Sequence, residues 1–264
     1  MSAVPQTASV LEREDRDGVA TLTLNRPQQF NALSDELLDA LHAEMERIAA
    51  DAAVRVVVIR GAGKAFCAGH DLREMRANPS KASMQALFRK CSKVMMSLVA
   101  APQPVIARVH GIATAAGCQL VAQCDLAVAA EDARFAVSGI NVGLFCSTPS
   151  VPLVRNMGRK QALEMLLTGE FIGAEEARRR GLVNRVVPES RLDEEVARLA
   201  GAILAKSPVA VSMGKRMFYR QIEMGLDAAY QYAGEVMACN MMTEDARGGL
   251  DAFVEKRKPE WKGR

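Results

Sequence analysis

Apolar positions recur at two alternating periods through the first two-thirds of the chain, and at helical spacing alone through the last third. Residues 10–15 and 19–25 flank an Asp17-Gly18 step, and Val19, Thr21 and Thr23 alternate with Ala20, Leu22 and Leu24. A period of two closed by Asp-Gly predicts a β-hairpin. Ser34 is placed to cap a helix that begins with Asp35 and Glu36 and carries Leu37, Leu38, Leu41, Met45 and Ile48 on one stripe. The β-branched run 54–59 predicts a strand covered on both faces. A Gly-rich loop over 61–71 follows, then a long helix near 82–99 with Leu87, Phe88, Cys91, Val94, Met95 and Leu98, ended by Pro102 and Pro104. Strands are expected at 105–109 and 126–130, around a short buried helix at 115–123. Beyond Pro149 strand signals fade except at 183–187. Helical spacing then runs through 190–206, 209–221, 226–242 and 243–256.

This succession predicts an α/β core over residues 1–195 and a helical C-terminal region over 196–264. No Ser- or Pro-rich linker separates them, so the tail is expected to pack on the core or on a neighbouring subunit.

Composition narrows the function classes. The 264 residues are 49% hydrophobic and 25% charged, an ordinary globular balance. A net charge of +3 with 5% aromatic residues gives little basis for nucleic-acid binding, so none is expected. No apolar run approaches the roughly 20 residues of a membrane span, and no membrane association is expected. The first ten residues have neither a basic nor an apolar signal region. Cysteines 67, 91, 118, 124, 146 and 239 are scattered without a C-x-x-C pair. Reduced thiols and a cytoplasmic location are therefore expected. With three histidines, none at ligand spacing from a cysteine, no metal site is expected.

Gly61-Ala-Gly63-Lys64 fails as a phosphate loop, because Val58 stands at the first glycine position and Ala65 at the Ser/Thr. It fails as a dinucleotide fingerprint because Phe66 replaces the third glycine. More informative are two segments of one design, Lys64-Ala-Phe-Cys-Ala-Gly69-His70-Asp71 and Val109-His-Gly-Ile-Ala-Thr-Ala-Ala116-Gly117-Cys-Gln119. Each reads as a strand, a loop of small residues and a helix start. Such loops leave N–H groups free, and two facing loops can donate two hydrogen bonds to one carbonyl oxygen.

These segments, with Leu24-Asn-Arg26-Pro and Asn31-Ala-Leu, Cys124-Asp125, Gly158-Arg159, Thr168-Gly169 and Ala252-Phe253-Val-Glu-Lys256-Arg-Lys258, make the chain resemble the crotonase (enoyl-CoA hydratase/isomerase) superfamily along almost its whole length. The detail of 135–149 is most similar to the enoyl-CoA hydratase domain-containing protein 3 branch. The resemblance implies a crotonase-like spiral of ββα units with a C-terminal helical trimerisation region, assembling as a homotrimer or a hexamer made of two trimers. It implies no covalently bound cofactor, with coenzyme A arriving as part of an acyl-CoA. The backbone amides of His70 and Ala116 would polarise the thioester carbonyl. Arg26, Phe30, Ala68, Phe253 and Lys256 would meet the coenzyme A portion, the last two in an adjacent subunit.

The pattern breaks where hydratases of this family carry two glutamates, since Gln119 and Gly139 stand at those positions. Neither side chain can exchange a proton near neutral pH, so ordinary 2-enoyl-CoA hydration is expected to be weak or absent. Gln119 is left either to orient a polar group or to be satisfied by backbone. The His70 imidazole either enters the pocket or turns away. Acyl-CoA binding without turnover and a His70-assisted decarboxylase or isomerase both remain open. Cys146 is read as packing, and Asp71 and Asp125 as caps.

Overall fold

The computed structural model describes residues 9–264, so the first eight residues, on which the reading of the N-terminus rests, lie outside it. Strand β1 (Leu11–Arg16) pairs antiparallel with β2 (Val19–Leu24), and both turn residues, Asp17 and Gly18, have positive φ, as a tight hairpin turn requires. Helix α1 (Asp35–Ala50) follows, its first turn capped by Ser34 Oγ accepting from the Leu37 amide. Then come β3 (Val56–Gly61), α2 (Leu72–Ala77), α3 (Lys81–Ala100), β4 (Val105–Val109), β5 (Ile112–Thr114), α4 (Ala116–Gln123), β6 (Leu126–Ala130) and β7 (Arg134–Ala136). Helices α5 (Ser147–Asn156) and α6 (Arg159–Thr168), strand β8 (Ile172–Gly173), α7 (Ala174–Arg179) and β9 (Arg185–Val187) complete the core, followed by α8 (Leu192–Leu204), α9 (Pro208–Gln221), α10 (Leu226–Met241) and α11 (Glu244–Val254).

Six strands form one sheet in the order β1-β2-β3-β4-β6-β9, parallel after the first pair, and β5, β7 and β8 form a second, small sheet. The repeating unit is legible in the chain path. Each turn places one strand in the large sheet, one short extended piece in the small layer, and then a helix. Strands β4 and β6 are followed by β5 and β7. After β2 and β3 the same role falls to single bridges, Leu33 to His70 and Cys67 to Ala113. This is the expected ββα spiral.

Strand β3 is covered on both faces, as its β-branched run predicts. Val57 and Ile59 join the main core with α1 and α3, while Val56 and Val58 join a second cluster with Leu192, Val196 and Ala200 of α8. The expected start of the tail at residue 196 falls inside α8, which lies on the sheet; the chain leaves the sheet only after Leu204. The next helices are pinned to the core by one buried ion pair. Lys215 Nζ of α9 donates to Asp125 Oδ2 at 2.7 Å, to the Leu98 carbonyl at 2.7 Å and to the Gln103 carbonyl at 2.8 Å. Asp125 is thus no helix cap: it accepts from the Val105 amide and from Lys215.

Candidate active site

Stacking of successive spiral turns brings the two small-residue loops together. In the parallel bridge between Leu33 and His70, the Leu33 amide donates to the Gly69 carbonyl and the Asp71 amide to the Leu33 carbonyl. The N–H of His70 therefore points away from Leu33, toward the next turn. There Ala115 leads into α4 at φ 50° and ψ −120°, its own amide donating to the Ala136 carbonyl. Ala116 opens the helix, where amides have no intrahelical acceptor. The two loops touch: a Cβ on Gly69, which has φ +93°, would fall 2.9 Å from Ala115 Cβ and 3.1 Å from the Ala116 nitrogen. Only glycine allows this approach.

In front of these amides lies a cavity of about 450 Å³, walled by Ala68, His70, Ala115, Ala116, Phe88 and Leu72, and by Ser138, Gly139 and the stretch from Val142 to Pro149. Among the described residues no Asp, Glu, Lys or Arg lines it. His70 and Phe88 meet edge to face, with ring centroids 5.7 Å apart. Both His70 ring nitrogens are buried without a hydrogen-bond partner among the described residues. The imidazole is thus neither turned toward solvent nor bonded to backbone. Burial pushes it down to about 4, and the nearby Leu33 carbonyl, outside hydrogen-bond geometry, offsets that only in part.

Of the two positions where glutamates were expected in a hydratase, Gly139 is in the cavity wall and Gln119 is not. Gln119 is 3% exposed on α4, and its Oε1 finds no partner among the described residues, so it is not the backbone-satisfied amide that was one reading. At Gly139 there is no room for a side chain: a Cβ would lie 2.6 Å from the Leu144 carbonyl and 2.7 Å from Cys146 Sγ. Cys146 lines the cavity, and burial raises its thiol above the usual range despite a bond to the Gly139 backbone. A raised thiol fits packing better than reactivity.

The remaining site residues separate into two groups. Arg26, Phe30 and Ala68 cluster behind the His70 loop. The Ala68 amide donates to the Phe30 carbonyl at 3.0 Å, and Arg26 pairs with Asp71 at 3.0 Å. Asp71 also caps α2, accepting from the Arg73 and Glu74 amides. Burial alone would raise its carboxyl, but Arg26 and these amides hold it below the usual range. Phe253 and Lys256 lie on the tail and do not line the cavity. Phe253 is 84% exposed, and Lys256 ends α11 in the left-handed region at φ 57°. No separate sequence signal marks Phe88, whose place on the α3 stripe matches a core residue, nor Leu72, Val142 and Leu144.

A ββα spiral that sets two amides of adjacent turns before an uncharged cavity defines a protein of the crotonase fold. Residues 14–264 match the enoyl-CoA hydratase/isomerase family model, and the chain belongs to that family. A crystal structure of an enoyl-CoA hydratase from Mycobacterium smegmatis superposes with a TM-score of 0.94 at 60% identity, covering 96% of this chain and 98% of that one. The human enoyl-CoA hydratase domain-containing protein 3 gives 0.93 at 44% identity, over 96% and 100%. The curated Xenopus laevis protein of that name is 47% identical over 96% of this chain and 85% of its own. The branch resemblance therefore holds. The cytoplasmic expectation does not: the five curated relatives of that branch are all named as mitochondrial proteins. Thiol content and the first ten residues do not separate those two reducing compartments.

Proposed function

We propose that this protein binds an acyl-CoA thioester with its carbonyl oxygen between the His70 and Ala116 amides, and that it is not an ordinary 2-enoyl-CoA hydratase. The family acts on CoA thioesters. The observation that carries the reading is the pairing of two unengaged amides with a cavity wall that holds no carboxylate. Two preorganised donors stabilise an enolate oxygen, but hydration also needs groups that activate water and deliver a proton to the α-carbon. Each such group is worth about 10²–10⁴ in rate. Crotonyl-CoA hydration is therefore expected to run roughly 10³-fold or more below that of a two-glutamate hydratase. The same sample should bind butyryl-CoA by calorimetry, and Gly69→Ala should weaken that binding by up to about tenfold by displacing the Ala116 amide. Turnover at ordinary hydratase rates, or no binding of any acyl-CoA, contradicts the reading.

The unpartnered His70 ring favours a second reading, enolate chemistry such as isomerisation with the imidazole as proton carrier. A decarboxylase is less well supported, because the cavity offers no cation to seat a carboxylate. His70→Ala distinguishes catalysis from simple binding: it removes any turnover while thioester binding persists.

For assembly, we propose a homotrimer, or two trimers as a hexamer, built through the 196–264 region with Phe253 and Lys256 meeting the ligand of an adjacent subunit. The support is the exposed apolar surface of the tail, including Leu226, Tyr230, Met237, Met242, Phe253 and Val254. Light scattering should give three or six times the 28.5 kDa chain mass; a monomer contradicts it.

A further inference from the structure

The Arg26 side chain is committed on the inner side of the His70 loop. Its Nη2 donates to Asp71 Oδ2 at 3.0 Å and its Nη1 to the Ala32 carbonyl at 2.5 Å. The guanidinium is 16% exposed and the Asp71 carboxylate 10%. The backbone beside it is fixed as well. The Arg26 amide donates to Asn31 Oδ1 at 2.9 Å, and Asn31 Nδ2 donates to the Ala62 and Ala65 carbonyls, each at 2.8 Å. Phe30 and Asn31 are two successive non-glycine residues in the left-handed region, at φ 50° and 55°. Such a pair persists only where its surroundings over-determine it. Segment 26–33 then holds loop 68–71 by three backbone bonds: Ala68 to Phe30, Leu33 to Gly69 and Asp71 to Leu33.

Asp71 follows His70 directly, and its side chain is the junction of this network. One oxygen caps α2 through the Arg73 and Glu74 amides, and the other takes the Arg26 ion pair. The His70 N–H belongs to the 69–70 peptide, whose carbonyl accepts from the Leu33 amide, and the Asp71 network anchors the residue that follows it, so turning that peptide would strain both sets of bonds. An oxyanion donor is effective to the extent that its direction is fixed before the charge develops. A guanidinium already spent on a buried carboxylate and a carbonyl is poorly placed to neutralise a phosphate, because that would leave Asp71 buried and unpaired.

We infer that Arg26 is a positioning residue: through Asp71 it fixes the His70 amide toward the thioester carbonyl, and it does not bind the phosphates of coenzyme A. The inference rests on the proposed thioester site, and the test separates the two. Butyryl-CoA and S-butyl-CoA have the same coenzyme and the same number of chain carbons, but the thioether lacks the carbonyl oxygen. Their affinity ratio therefore reads the two amides and little else. The wild-type protein is expected to favour the thioester by about tenfold, the worth of one to two good hydrogen bonds. In Arg26→Gln the ratio should fall to within about twofold of one, with S-butyl-CoA bound nearly as before.

Asp71→Asn should do the same, and the double variant should be no worse than either single one, since both remove one linkage. Arg26→Lys, which keeps one ionic contact, should restore part of the ratio. Equal weakening of both ligands by Arg26→Gln would overturn the inference in favour of direct coenzyme contact or a damaged fold, and so would an unchanged ratio. A wild-type ratio of one would overturn the thioester site itself.

Discussion

His70 shows how one side chain couples the site to stability. Its folded imidazole is held near 4 by burial, against about 6.5 in an unfolded chain. Above pH 6.5 the ring is neutral in both states and costs nothing. As pH falls from 6.5 toward 4 the unfolded chain takes up a proton that the folded one does not, so stability is lost, by about 3 kcal/mol in all. His70→Leu lacks this linkage. Urea unfolding at pH 7 and pH 5 should show the wild-type protein losing about 2 kcal/mol more than the variant; equal losses would mean that the ring is solvated. Much at this level was legible from residue types alone. The two loop amides follow from strand, small residues and helix start, and the absent acids from Gln119 and Gly139. The state of the imidazole was not, because the wall that isolates it comes from α3 and from residues 138–149, far away in sequence.

The stretch from Ser138 to Cys146 folds so that position 139 has no room for a side chain. Ser138–Val142 forms a short 3₁₀ helix, and Leu144 and Cys146 fold back over Gly139, occupying the space a side chain there would need. Restoring acids should therefore fail: Gln119→Glu with Gly139→Glu is expected to lower the melting temperature and leave crotonyl-CoA hydration below one-tenth of a two-glutamate hydratase. Full activity would show that the loop yields freely. Helix α9 illustrates a different dependence. Lys215→Met leaves Asp125 buried without its cation, which should cost about 3–5 kcal/mol and lower the melting temperature by roughly 10 °C. A shift under about 2 °C would mean that the tail is held by its apolar contacts alone.

Hairpin, long helices and parallel strands were legible because each runs long enough to show its period, as β2, α1 and β3 do. Strands β5 and β7 have three residues each, too few for alternation to register, and the spiral became readable only through family resemblance. Lys215 is one of three cations on α9, beside Arg216 and Arg220, and nothing in its neighbourhood along the chain singles it out or names Asp125 as its partner. The function we propose for this architecture is carbonyl polarisation without the proton-transfer carboxylates of a two-glutamate hydratase. The most direct measurement is mass spectrometry of enoyl-, hydroxyacyl- and saturated acyl-CoAs incubated with the protein in D₂O, with a heat-killed control and binding checked on the same samples. The thioesters should bind, and enoyl-CoA should gain no water; deuterium at the α-carbon that is lost in His70→Ala would add that His70 moves protons. Rapid gain of water by enoyl-CoA would contradict the account, because it would require an acid–base pair that the cavity wall does not contain.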